Sequence, residues 1–260
     1  MPRLRMSLVR TLSLVSTIAL AASFLACGGP SGPSGGGSKR LGIKHEHTLK
    51  PGKAHHPGIT RAIIFPMNAT VQRATGLDGG DDDLIRLTVD YLESKGVSST
   101  ILDAREYNRA NGIAVRKARK KMLSGESGVA SDKLRFEDIV PEILAELDSD
   151  AQIAVLPNVM MRPAEYSGGK SVRWDGVRRR ERGTRGGGMS GTTSAGTLFT
   201  IILDAKGDQI FSAYGGLDLI YELDMSKKKY VTREDLFEDL ENLAEGICVS
   251  LHPYFGDGDC

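Results

Sequence analysis

A packed fold in this 260-residue chain has to begin late, because residues 28–58 offer no sustained apolar periodicity. Gly28-Gly-Pro-Ser-Gly-Pro-Ser-Gly-Gly-Gly-Ser38 leads into a Lys/His-rich stretch that ends at Pro57-Gly58. Such a run buries too little apolar surface to offset the entropy of ordering it. Residues 27–58 therefore read as a disordered, flexible tether ahead of one domain over 59–255, with 256–260 as a tail. A coil of ~31 residues spans on the order of 30 Å root-mean-square and roughly 100 Å when pulled straight.

Residues 1–26 divide into a basic start, Met1-Pro-Arg-Leu-Arg5, an apolar run from Leu12 to Leu25 broken only by Ser and Thr, and the junction Phe24-Leu25-Ala26-Cys27. These are the zones of a secretory signal peptide, and an apolar run of ~14 residues is short of the ~20 that a helix needs to cross a bilayer. The Ala26-Cys27 junction resembles the lipobox of bacterial lipoproteins, with Phe24 standing where that pattern prefers Leu. The resemblance implies cleavage before Cys27, lipid on its sulfur and amino group, and membrane lipid as a partner. Each buried methylene of such an anchor contributes about 0.8 kcal/mol. Gly28, not Asp, follows the Cys, which in that family implies an outer-membrane lipoprotein facing the periplasm.

Removing residues 1–26 takes Arg3, Arg5 and Arg10 out of 34 basic side chains, leaving 31 against 33 acidic ones and a net charge of −2. A chain that wraps nucleic acid needs a strong basic excess to displace counterions, so no nucleic-acid partner is expected. His45, His47, His55 and His56 cluster in the tether. They are weak metal candidates, since no Cys accompanies them, and a solvated spacer accounts for them more simply.

Beyond Gly58 the pattern becomes that of alternating elements. Arg61-Ala-Ile-Ile-Phe-Pro66 reads as a buried strand ended by proline. Asp81-Asp-Asp83 opens a helix with Leu84, Leu87, Thr88, Tyr91 and Leu92 on one face, and Gly96 is placed to cap it. Val97–Leu102 is a second strand. Residues 105–124 are helical and carry the basic run Arg116–Lys121, which reads as a solvated face. Residues 132–147 form a further helical piece in which Pro141 marks a start or a kink. Asp150–Pro157, extending toward Met161, is a third strand, followed by a long excursion with a flexible Gly/Arg insertion at 178–196. Leu198–Leu203 and Gln209–Tyr214 flank a hairpin turn in which Gly207 takes positive φ. Gly215-Gly216 ends or bulges that strand. A last helix runs from Arg233 to Leu251, with Thr232 and Asp235 as an approximate capping box. The expected fold class is α/β (α+β), a single mixed β-sheet with helices packed on it, in the order β-α-β-α-β, insertion, β-β-α.

Catalytic motifs are not found. Ser167-Gly-Gly-Lys-Ser171 lacks the earlier glycine of a phosphate-binding loop, and HExxH and paired CxxC are missing. No catalytic residue and no cofactor are assigned. Trp174, Arg178, Arg179 and Arg180 are the candidates for contact with a partner, the single Trp as an anchor or a structural ring and the arginines as cations on a loop. Cys248 and Cys260, twelve residues apart, pair in an oxidising compartment or remain as two free thiols.

Ala62-Ile-Ile-Phe-Pro66, Ser149-Asp-Ala-Gln-Ile-Ala-Val155 and the Asp204-Ala-Lys-Gly207 turn between Leu198 and Phe211 together resemble the periplasmic α/β domains of the TolB amino-terminal, CsgG and LpoB group. The resemblance covers roughly residues 60–252 and implies binding without catalysis, as a protein-interaction module of an unidentified envelope protein complex. A CsgG-like pore is disfavoured, because the Gly/Arg insertion lacks alternating strands long enough to span a bilayer. Two alternatives accompany this expectation. One is an accessory lipoprotein of a secretion or transport system; the other is an envelope enzyme acting on glycan or peptide, with Glu165, Asp175 or Glu181 grouped with Asp218 in a concave site. Replacing Cys27 by Ser should move the protein from the membrane pellet to the soluble fraction on cell fractionation; firm sedimentation of the variant with membranes would refute the anchor.

Overall fold

In the computed structural model, residues 46–50, 58–124, 134–166, 171–180, 191–224, 229–256 and 260 are described. The mixed α/β class holds. One sheet runs in the order β1 (His47–Leu49), β8 (Gln209–Leu219), β7 (Gly191–Asp204), β4 (Ile153–Tyr166), β2 (Arg61–Ile64) and β3 (Ser98–Ile101). β3, β2 and β4 are parallel, whereas β4, β7, β8 and β1 are antiparallel. Strand β2 explains the run at 61–66: Ala62, Ile63, Ile64 and Phe65 are all buried, since a strand covered on both faces needs no polar alternation.

Helices cover both faces. Ile64, Val155 and Ile202 share a core with Leu84 and Leu92 of α1 (Asp81–Ser94) and with Leu243, Ile247 and Leu251 of α4 (Leu240–Phe255). Ile63, Phe65 and Leu156 share a second core with α2 (Ala104–Leu123) and α3 (Phe136–Glu146). Helix α1 begins on its three acids, and Gly96 closes it at φ 75°. Ala110, Ala114 and Ala118 form the buried stripe of α2. Lys117 bonds Glu146 at 3.0 Å and Lys121 pairs with Glu142, so part of the basic run is spent on α3 and the rest is solvated. Pro141 lies inside α3, neither at its start nor before it. Having no N–H, it leaves the Glu137 carbonyl without its usual helical donor. Gly207 of the β7–β8 turn, at φ 84°, lies against that carbonyl and the proline ring, where a Cβ would clash with both.

Several expectations are corrected. The tether does not run unbroken to residue 58, because His47–Leu49 pair with Phe211–Ala213 of β8 as an edge strand. Glu46 to Arg162 at 3.1 Å and Lys50 to Asp208 at 3.2 Å bracket that strand. The domain thus includes residues before 59, and three residues are too few for periodicity to show. Strands β4 and β7 are each fourteen residues long and pair throughout, from Ile153↔Asp204 to Tyr166↔Gly191. Pro157 does not break the ladder: its carbonyl accepts from Asn68 N–H at 3.0 Å, so its donor-less nitrogen faces the side away from β7. The excursion folds as a hairpin, β5 (Ser171–Trp174) and β6 (Val177–Arg180), turning on Asp175 and Gly176 at φ 35° and 82°. Residues 178–180 and 191–196 of the expected insertion are therefore strand. A further two-stranded sheet, β9 (Tyr221–Asp224) with β10 (Lys229–Thr232), follows β8.

Helix α4 starts seven residues later than the periodicity suggested. Asp239 is the cap, accepting from Asn242 N–H at 3.1 Å, and Leu240 is exposed. Arg233 and Asp235 pair with each other at 2.9 Å and do not open a helix. Cys248 and Cys260 are joined in a disulfide. Among the described residues no helix is long and apolar enough to cross a membrane.

The tightest approach in the fold is made by glycines. A Cβ on Gly215 would fall inside the Gly246 carbonyl oxygen of α4, and a Cβ on Gly246 would lie 2.5 Å from the Gly216 carbonyl oxygen. Gly216 points the other way along β8, where a Cβ would strike Val177 and come within 2.7 Å of Trp174 Nε1. Gly112 in α2 offers the contrast, with nothing nearer to its Cβ position than 3.9 Å. Gly215→Ala should lower the unfolding free energy in urea by about 2–3 kcal/mol through overpacking, while Gly112→Ala should raise it by roughly 0.5–1 kcal/mol through helix propensity. Equal effects at the two sites would contradict the close packing.

Candidate functional site

Strand β8 passes through the glycine pair and bulges: Thr197 pairs with Gly216 but Gly196 with Asp218, leaving Leu217 as the extra residue. A bulge bends its strand and re-aims the side chains that follow. The result here is Asp218, 2 % exposed, inside the protein. Its Oδ1 accepts from the Leu219 N–H at 2.7 Å and from the Arg233 guanidinium. Burial pushes the Asp218 carboxyl up, and Arg233, the Leu219 N–H and Arg179 pull against it. An arginine does not give up its proton, so Arg233 remains a cation beside it. For Arg233 itself burial is outweighed by Asp235 and Asp218, which raise its pKa.

Arg179 reaches the same place from β6. It pairs with Glu245 of α4 and donates to the Asn242 carbonyl at 3.1 Å and the Leu217 carbonyl at 3.4 Å. It thereby bridges hairpin, sheet and helix. Between these groups lies a cleft of about 310 Å³, walled by the β6 arginines, Asp218, Arg233, Glu222 and the first turn of α4. Arg178 and Arg180 alternate with Arg179 along β6 and are exposed. Arg178 donates to Ser171 Oγ at 2.7 Å, and among the described residues neither of the two makes an ion pair.

No protein-family model matches the chain, and comparison with curated proteins finds no match either.

The residues singled out from sequence fall in different places. Trp174 is 5 % exposed, not a surface anchor. Its Nε1–H donates to the Gly196 carbonyl at 3.3 Å, and its ring packs with Ala164, Val172, Val177, Ala195 and Leu219 in a small core of the hairpin. Arg179 is buried and structural; Arg178 and Arg180 remain on the surface of the cleft. The described carboxylates of the enzyme alternative, Glu165, Asp175 and Asp218, do not gather. Glu165 is exposed on β4, Glu181 lies outside the described residues, and Asp175 and Asp218 each answer to a different arginine. Asp175 accepts from Thr197 Oγ1 at 2.8 Å and pairs with Arg162 at 3.0 Å. Burial pushes its carboxyl up while those two partners lower it. Arg162 lies over the Tyr214 ring at 4.1 Å, and that ring stacks on Phe199 at 4.6 Å.

His47 is in the edge strand, and among the described residues no group of three His, Cys, Asp or Glu is placed to hold a metal. His45, His55, His56 and Cys27 lie outside the described residues. The sequence reading missed Arg233, Glu245, Asn242 and Glu222. One signal was there for the helix: Asp239 precedes Leu243, Ile247, Leu251 and Phe255 at steps of four, which sets a cap at 239 and frees Arg233 for the cleft.

Proposed function

We propose that the protein is a lipid-anchored, non-catalytic interaction module of a bacterial envelope complex, tethered through Cys27 and recognising an acidic surface with Arg178 and Arg180. The observation that carries the reading is the division of labour among the cations of the cleft. Arg179 and Arg233 are buried and consumed by Glu245 and by Asp218 with Asp235, so they build the cleft. Arg178 and Arg180 are exposed and free of carboxylates among the described residues. A rigid hairpin thus presents two guanidiniums with open valences, the donor geometry that suits carboxylate recognition.

Both buried carboxylates, Asp175 and Asp218, are held by arginines, Arg162 and Arg233, an arrangement suited to positioning. The lipobox-like junction at Ala26-Cys27 and the Gly/Pro/Ser tract after it support anchoring, and the likeness of the 62–66, 149–155 and 198–211 segments to TolB, CsgG and LpoB domains supports binding as the activity.

Rim charges act mainly on encounter and specificity. Cross-linking of intact cells followed by affinity capture tests the reading. The double variant Arg178→Glu/Arg180→Glu should lose co-captured envelope protein by at least ~tenfold at unchanged membrane attachment and unchanged melting temperature. Capture equal to that of the unaltered protein would remove the reading.

A further inference from the structure

Helix α2 carries more positive charge than the fold uses. Of its seven cations, Arg109 and Lys117 pair with Glu146 at 3.6 and 3.0 Å, and Lys121 pairs with Glu142. Arg105, Arg116, Arg119 and Lys120 are exposed, and among the described residues none of the four has an ion pair. Two acids stand nearby on the same element. Glu106 is the one carboxylate within the helix, and Asp103 is its cap, accepting from the Glu106 N–H at 2.8 Å.

The four unspent cations lie along a line. Positions 105, 109, 112, 116, 119 and 123 advance by alternate steps of four and three, which keeps them on one face of a helix, and Lys120 adjoins Arg116 one turn on. Ala110, Ala114 and Ala118 hold the opposite face against the domain, so the stripe faces solvent along a helix of 20 residues, about 30 Å long. It ends at Leu123, which is 78 % exposed. Clustered Lys and Arg on a helix are drawn to anionic lipid, whose phosphates arginine engages through paired N–H donors. Protein hot spots are built on aromatic as well as arginine anchors. The only aromatic ring of α2, Tyr107, is turned inward onto Phe65 at 5.8 Å, so the stripe offers charge and one apolar end. A flat, repetitive polyanion with an apolar layer beneath it matches both.

The chain permits that approach. Glu46, the first described residue, follows Cys27 by 19 positions. Such a length reaches at most about 65 Å, more than the breadth of a domain of this size, on the order of 40 Å. Helices α2 and α3 cover one face of the sheet, whereas the cleft is walled in part by α4, which covers the other.

We infer that the α2 stripe docks the domain onto an anionic phospholipid surface: Arg105, Arg116, Arg119 and Lys120 meet headgroup phosphates, Leu123 enters the boundary layer beneath them, and the cleft is turned away from the membrane. The inference rests on the lipid anchor proposed above and adds the orientation of the domain upon it.

The test uses the full-length protein extracted from membranes, carrying a polarity-sensitive dye at Leu123→Cys. It is reconstituted into vesicles of phosphatidylglycerol with phosphatidylethanolamine and, separately, of phosphatidylcholine. Dye emission should move to shorter wavelength on the anionic vesicles alone, and should return in about 1 M salt, where the screening length falls to ~3 Å. Arg116→Gln/Arg119→Gln/Lys120→Gln, three exposed positions whose replacement should leave the melting temperature unchanged, should abolish the shift; Arg178→Glu/Arg180→Glu should keep it. Equal emission on both kinds of vesicle, with the protein retained on both, would overturn the docking face and leave the anchor intact. Loss of the protein from phosphatidylcholine vesicles, with the shift still seen on anionic ones, would refute the anchor and support the docking face. Photo-crosslinking from position 123 in intact cells should yield lipid adducts; adducts with an acidic protein alone would overturn the inference.

Discussion

The absence of three side chains, at Gly215, Gly216 and Gly246, is the constraint on which the rest of this structure depends. Sheets and helices ordinarily stand about 10 Å apart because side chains fill the gap. Here α4 meets β8 backbone against backbone at Gly215 and Gly246, and the β5–β6 hairpin meets β8 at Gly216. Backbone polar groups exposed by that approach are used: the Gly216 N–H donates to the Asp175 carbonyl at 3.0 Å, and Trp174 donates to Gly196. The glycines weaken strand propensity locally, and what offsets this is the burial of Trp174, Val177 and Leu217 that their small size permits.

Once hairpin and helix are both seated on the same strand, the cleft follows. Arg179 can span from β6 to Glu245, and the bulge at Leu217 turns Asp218 inward to meet Arg233. Buried ion pairs of this kind add little net stability after desolvation, but breaking one leaves a charge stranded. Their consequence is positional. They fix where Arg178 and Arg180 emerge, and they leave the interior with the unpaired atoms Asp218 Oδ2 and Arg179 Nε. Asp175 with Arg162 and Thr197, and Arg162 over the Tyr214 ring, make a second such cluster.

Much of the fold was legible because local and global preferences agreed. Strand β2, helix α1 with its acids and Gly96, and the β7–β8 turn at Gly207 follow from periodicity and turn chemistry alone. The long β4 and β7 strands and the β5–β6 hairpin were not legible for identifiable reasons. Pro157 and Pro163 argue against a long strand until the ladder shows that Pro157 aims its missing donor away from β7, and Gly196, Gly215 and Gly216 read as breaks when they are contact points. The Arg178–Arg180 run looked like a solvated loop because alternation of one residue type hides which member is inward. Arg233 was absorbed into a helix that starts at Leu240, since Leu236 and Leu240 continue the spacing of the buried stripe although Leu240 is 44 % exposed. The site depends on pairs distant in sequence, Arg179 with Glu245 and Asp218 with Arg233, and no local pattern announces them.

The glycine seam can be interrogated through the only tryptophan of the chain, which the seam itself places. Trp174 packs against the position where Gly216 would carry a Cβ, so Gly216→Ala should push the indole out while the rest of the sheet persists. The fluorescence emission maximum of Gly216→Ala, recorded beside its circular dichroism, is the direct measurement. The account predicts a shift to longer wavelength and greater quenching by iodide with secondary structure retained; an emission spectrum identical to that of the unaltered protein would contradict it.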